Sequence, residues 1–152
     1  MSLKDRISEE IKAAMKAKDK IRLETVRGIK KLILEKETEV RAKGQDALNG
    51  DQELAILSQL AKQRRDSIEQ YRNAGRDELA EKEAQELAIL EEYMPRQLSE
   101  AEVAETIDRI IAQVGATSAK DMGKVMGPVM KELKGKADGK MVQDLVKQKL
   151  AG

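Results

Sequence analysis

The chain has 152 residues, with 29 lysines and arginines against 28 aspartates and glutamates, and it contains neither cysteine nor histidine. Those two absences exclude disulfides, thiolate and imidazole metal sites, Cys or Ser–His nucleophilic pairs and histidine general bases. Ala, Leu, Glu, Lys, Gln and Arg dominate, prolines number two and aromatic residues 1%, which predicts an all-α fold.

Ser2 with Asp5 predicts a capping box for a first helix that carries Leu3, Ile7, Ile11 and Met15 at intervals of four. Asp19 is the expected N-cap of a second helix, in which Val26, Ile29, Ile33 and Val40 form a stripe stopped by Gly44. Asn49-Gly50-Asp51 reads as a turn followed by a cap. A third helix places Leu54, Leu57, Ala61, Ile68 and Tyr71 on one side and ends at Gly75. The two long segments, roughly residues 20–43 and 52–74, are joined by a short loop and predict an antiparallel helical hairpin. Asp77 opens a fourth helix with Ala80, Ala84, Leu87, Leu90 and Met94 inward. Met94-Pro95 closes this part, because proline cannot continue a helix and disfavours helical geometry in the residue before it.

The second part opens with Ser99 and Glu102 as a capping box, followed by Val103, Ile107, Ile110, Ile111 and Val114 before Gly115. Ser118 with Asp121 is expected to cap a middle helix striped by Met122, Val125, Met126, Val129, Met130 and Leu133, with the methionines in the core. Pro128 is expected to kink this helix near Lys124. Asp138 opens a last helix with Met141, Val142, Leu145, Val146 and Leu150 inward. The expected organisation is an N-terminal helical domain, residues 1–95, and a small C-terminal three-helix domain, residues 96–152.

The near-neutral net charge hides a pattern. Residues 1–41 carry 12 basic and 8 acidic side chains, residues 42–114 carry 9 and 16, and residues 115–152 carry 8 and 4, giving +4, −7 and +4. Basic ends around an acidic middle suit a polyanionic partner, although helical surfaces are also salted with Lys and Glu for solubility alone. The charged N-terminus lacks the apolar core of a signal peptide, and no run approaches the ~20 apolar residues of a membrane span. The expectation is a cytoplasmic protein without membrane contact.

Chemistry-bearing motifs are sparse. Glu91-Glu92 beside Tyr93 are adjacent residues pointing apart and read as solvated surface. "GKVMGPVMK" lacks the spacing of a phosphate-binding loop, and no carboxylate series has calcium-loop spacing. No cofactor, metal or catalytic residue is expected. Gly123 and Gly127 lie four apart, which signals close approach either by a neighbouring helix or by a ligand. Arg64, Arg65 and Arg72 on the third helix are secondary candidates for phosphate contact, with ordinary surface pairing as the structural alternative.

The stretch "KGKADGK", residues 134–140, is first a helix–turn–helix link. Gly135 ends one helix and Asp138 starts the next, with Gly139 beside it. Lys134, Lys136 and Lys140 also surround an amide-rich helix start that favours an anion. Together with Lys120, Lys124 and Lys131 they form a candidate surface for the phosphate backbone of RNA.

"ATSAKDMGKVMGPVMKELKGKADGKMVQDLVKQKL" resembles the tail domain of the B subunit of tRNA-dependent glutamine amidotransferases. With "KQRRDSIEQYRNAGRDELAEKEAQELAILEEYMPRQLS", nearly the whole chain resembles the stand-alone proteins of the GatB/YqeY family. The resemblance implies a helical domain followed by a three-helix domain, with tRNA contact through the tail and the phosphorylating and glutamine-hydrolysing centres in domains absent here. The family label is carbon–nitrogen ligase with glutamine as amido-nitrogen donor. The expected function is a non-catalytic module associated with structured RNA, chiefly tRNA, and accessory to an amidotransferase or another tRNA-handling enzyme. The alternative is a helical protein–protein adaptor without RNA binding. The sequence leaves the oligomeric state open.

Overall fold

A computed structural model describes residues 1–151. Among them are seven α-helices and one 3-10 turn, with no strand. The helices are α1 (Leu3–Ala17), α2 (Lys20–Ala42), α3 (Gly50–Asn73), α4 (Asp77–Glu91), α5 (Glu100–Val114), α6 (Met122–Glu132) and α7 (Gly139–Ala151). The 3-10 turn, Ala119–Asp121, precedes α6. The residues fall into two compact units, Met1–Met94 and Pro95–Gly152.

In the first unit, local signals set the helix ends. The Ser2 and Asp19 side chains accept from the backbone N–H groups of Asp5 and Arg22, satisfying donors that a helix start leaves without partners. The α2–α3 connection is capped by Asn49 rather than Asp51: Asn49 and Gln52 form a full capping box, and Gly50 is already helical. Arg76, which makes no side-chain cap, precedes α4, and Asp77 is its first helical residue. Gly44 and Gly75 take positive φ, at 88° and 72°, the left-handed geometry that glycine adopts without a Cβ clash.

Leu3, Ile7, Val26, Ile29, Ile33, Leu57 and Leu90 form the core together with Ile56, Leu60 and Ile89, which the apolar spacing had not singled out. The most extensive packing is α3 on α4 and α1 on α2, while α2 also meets α3 and α4. Packing from two sides widens the buried face of α3, which is why Ile56 and Leu60 join Leu57 inside. Leu54 and Tyr71 are only half-buried. Met15 lies 54% exposed because Ala14 takes the inward position at the end of α1.

In the second unit the Ser99–Glu102 capping box is complete and Gly115 ends α5 with φ 69°. The core joins Val103, Ile107 and Ile110 of α5 to Val125, Val129 and Leu133 of the middle segment and to Val142, Leu145, Val146 and Leu150 of α7. The methionines are not its centre: Met122 and Met126 are half-buried at the edge and Met130 is 40% exposed. The β-branched side chains point directly inward, and the longer, unbranched methionines cover their flank. Val114 is also exposed. Pro128 sits inside α6, which runs on to Glu132. Its ring faces solvent, and only the Lys124 carbonyl loses its usual N–H donor.

Candidate nucleic-acid interface

The α6–α7 link is built from its carbonyls outward. Gly135 adopts φ 72°, and the Lys136 N–H donates to the Leu133 carbonyl at 2.8 Å. The link is then tied to the strip ahead of α5. The Leu98 N–H donates to the Lys136 carbonyl at 2.8 Å, and Gln97 Nε2 donates to the Gly135 carbonyl at 2.7 Å and to the Pro95 carbonyl at 2.9 Å. Leu133 is buried just before the turn. With its carbonyls held from one side and Leu133 anchored, the link presents Lys134, Lys136 and Lys140 as exposed side chains. Gln97 and Leu98 are supporting residues that sequence reasoning missed. Nothing in their local pattern marks them, because their partners lie nearly forty positions away.

The lysines differ in their surroundings. The α7 start is served by Asp138: its carbonyl accepts from Val142 N–H at 3.0 Å and its carboxylate from Lys140 N–H at 3.4 Å. A side-chain anion thus already stands where a phosphate was expected. Lys140 also lines a hollow of about 310 Å³ with Glu100, Asp138, Asp144 and Gln148, so three carboxylates border the hollow it stands in. Lys136 has no carboxylate within ion-pair distance among the described residues. Lys124 and Lys131, seven apart on α6, share its solvent face, and Lys120 is exposed on the 3-10 turn. Lys124 lies 3.8 Å from Asp121 Oδ1. The Asp121 carboxyl is held below the usual carboxylate range by the Thr117 N–H, which donates to it at 2.9 Å.

Gly123 and Gly127 are exposed, and a Cβ added to either would meet nothing within 4 Å. Close packing inside the chain therefore does not explain them. At Gly139 a Cβ would touch the Met130 methyl at 3.7 Å, so Met130 leans over the start of α7.

The secondary candidates belong to the first unit. Arg64 faces α4, its Nε 3.9 Å from Glu83 Oε2 and 4.0 Å from Glu86 Oε2, and buried without a hydrogen-bond partner. It is committed to helix packing. Arg65 and Arg72 line a surface hollow of about 300 Å³ on α3 with Ile68, Glu69 and Asn73. Among the described residues no group of three or more Asp or Glu side chains is arranged to hold a metal ion, and no helix is long and apolar enough to cross a membrane.

Altered inheritance of mitochondria protein 41, mitochondrial, of Lachancea thermotolerans is 32% identical over 112 residues, 71% of this chain and 57% of that protein. The protein of the same name from Pyrenophora tritici-repentis is 32% identical over 137 residues, 87% of this chain and 71% of its own length. The chain thus matches little more than half of the first of these relatives. One component of the glutamyl-tRNA(Gln) amidotransferase of Thermococcus gammatolerans is 42% identical over 57 residues, 35% of this chain but 9% of that component. The model of the Yqey-like protein family matches residues 4–150. Matched along nearly its whole length, the chain belongs to the YqeY family.

Proposed function

We propose that this chain is a non-catalytic module that grips the phosphate backbone of folded tRNA through its C-terminal lysines. It would serve a glutamine-dependent tRNA amidotransferase or another tRNA-handling enzyme in the cytoplasm, although the names of its fungal relatives are mitochondrial. The observation that carries the reading is the α6–α7 link: its carbonyls are consumed by Gln97 and Leu98 while its lysines face water. The similarity to a component of a tRNA amidotransferase supports the choice of RNA. Two tyrosines and no Phe or Trp leave nothing with which to build a platform for stacked single-stranded bases. Lysine meets phosphate as a point charge with little sequence preference, which suits a compact folded RNA.

Binding to tRNA and to an unstructured single strand at several salt concentrations tests this. Lys134→Ala, Lys136→Ala and Lys140→Ala together should lower the salt slope of log K by roughly two to three units, and the glutamate triple variant should remove most binding. Lys136→Ala should account for the largest single share and Lys140→Ala for the smallest. Equal affinity for both RNAs, or an unchanged slope, would falsify the grip. Protein partners that persist after ribonuclease treatment would point instead to an adaptor.

A further inference from the structure

The +4 segment formed by residues 1–41 has no part in the C-terminal grip, yet the structure sorts its charges. Lys4, Arg22 and Lys36 pair with Glu37, Glu92 and Glu39. Lys12 and Lys16 on α1, and Arg27, Lys30 and Lys31 on α2, have no carboxylate within ion-pair distance among the described residues. Lys12 and Lys16 are four apart, as are Arg27 and Lys31, so each pair shares a helix face. Two cross-helix contacts bring the faces together: Lys4 Nζ to Glu37 Oε1 at 2.9 Å, and Arg27 Nη2 to Met15 Sδ at 3.9 Å. Four of the five cations are exposed and Lys30 is half-buried.

A second observation lies at the turn between these helices. Lys18 is the only non-glycine described residue with positive φ, at 57° with ψ 34°. Glycine takes this left-handed position at a helix C-terminus without steric cost. The helix dipole favours a cation there, which offsets part of the strain. The same cation extends the basic face to the tip of the turn.

We propose that the α1–turn–α2 face is a second contact surface for the phosphate backbone of folded RNA, a surface that rests on the tRNA reading but is separate from the C-terminal grip. A phosphate backbone matches its dominant feature, five cations without a carboxylate at ion-pair distance among the described residues, even though the exposed Glu9, Glu24 and Glu35 stand three or four positions from Lys12, Arg27 and Lys31. The exposed side chains of Met15 and Leu34 on this face are isolated. They fall well short of the roughly 800 Å² per partner of a stable protein interface. An anionic bilayer would require a free apolar helix face, and that of α1, at Leu3, Ile7 and Ala14, is buried.

The test uses the full chain, folded tRNA and a salt series. Alanine at Lys12, Lys16, Arg27, Lys30 and Lys31 together should lower the salt slope by about four units. Lys18→Gly should lower it by about one, with a melting temperature unchanged or higher, so that lost binding cannot be laid to lost folding. An unchanged slope in both variants, with the Lys134/Lys136/Lys140 alanine variant still weakened, would overturn this surface and leave the proposed function standing. No binding of tRNA by the parent chain would overturn both. Tighter binding to phosphatidylserine vesicles than to tRNA, abolished by the five-alanine variant, would also overturn it.

Discussion

In the first unit Arg64 meets Glu86 across the α3–α4 contact, whereas in the second Arg96 grips Glu102 at the surface beside the start of α5. Arg96 holds Glu102 with two hydrogen bonds, at 2.8 and 3.3 Å, and the Ser99 N–H adds a third at 3.0 Å. That arrangement, led by the Arg96 hydrogen bond, pushes the carboxyl down to about 2. Glu86 is 9% exposed and no closer than 4.0 Å to its arginine. Burial raises its pKa, and the attraction of Arg64 only partly opposes the rise. The same residue pair therefore has opposite consequences. Hydrogen bonds to a solvated anion favour its charge, while desolvation without a short bond disfavours it.

The largest expected effect breaks the comparison at the level of the cores. Ile107→Ala in the second unit and Ile33→Ala in the first each empty a position no more than 1% exposed and should cost about 2–5 kcal/mol. If the two units fold as separable domains, as the helix-stop signals at Met94-Pro95 suggest, hydrogen exchange should show each substitution loosening its own unit first. Uniform loosening of both would argue for one cooperative domain. Trypsin should then cleave first at Arg96, the one basic residue of the non-helical strip between α4 and α5, although Glu102 pairs with its side chain and the α6–α7 link holds the strip from Gln97 onward.

Within the second unit, Val129→Ala should cost about 2 kcal/mol, since a fully buried side chain loses two methyl groups. Met126→Ala, at the half-buried edge, should cost less than Val129→Ala in the same denaturant titration. Equal losses would return the methionines to the core. Ser99→Ala removes one arm of the capping box and should cost about 1 kcal/mol.

The smallest effects are those of pH. Glu102 titrates lower in the folded state, so its contribution is complete above its ordinary pKa near 4.5 and is lost as pH falls toward about 2. Glu102→Gln should therefore flatten the acid limb of the second unit's stability curve in that window. For Glu86 the sign reverses. A raised folded pKa favours folding in acid and loses that contribution as pH rises through it, so Glu86→Gln should slightly raise the melting temperature at neutral pH. A fall would mean that attraction to Arg64 outweighs the burial of charge.

The sequence by itself determined the helices and most of their ends. Ser2, Asp19, Ser99 and Gly115 act on backbone groups within a few positions of themselves, so their caps can be read without knowing what lies across the fold. It also fixed which lysines stand at the α6–α7 turn. Only the tertiary structure decided what lies opposite them. Arg64, readable as a phosphate ligand on an isolated helix, turns to two glutamates of α4, and Lys140 shares its hollow with Glu100 of α5. The methionine stripe and the valines satisfy one helical period, and the neighbouring helices chose the valines for the core. Gln97 and Leu98 support the lysine link over a separation that no local pattern encodes, because hydrogen bonds between distant segments depend on where packing brings the chain and not on residue spacing.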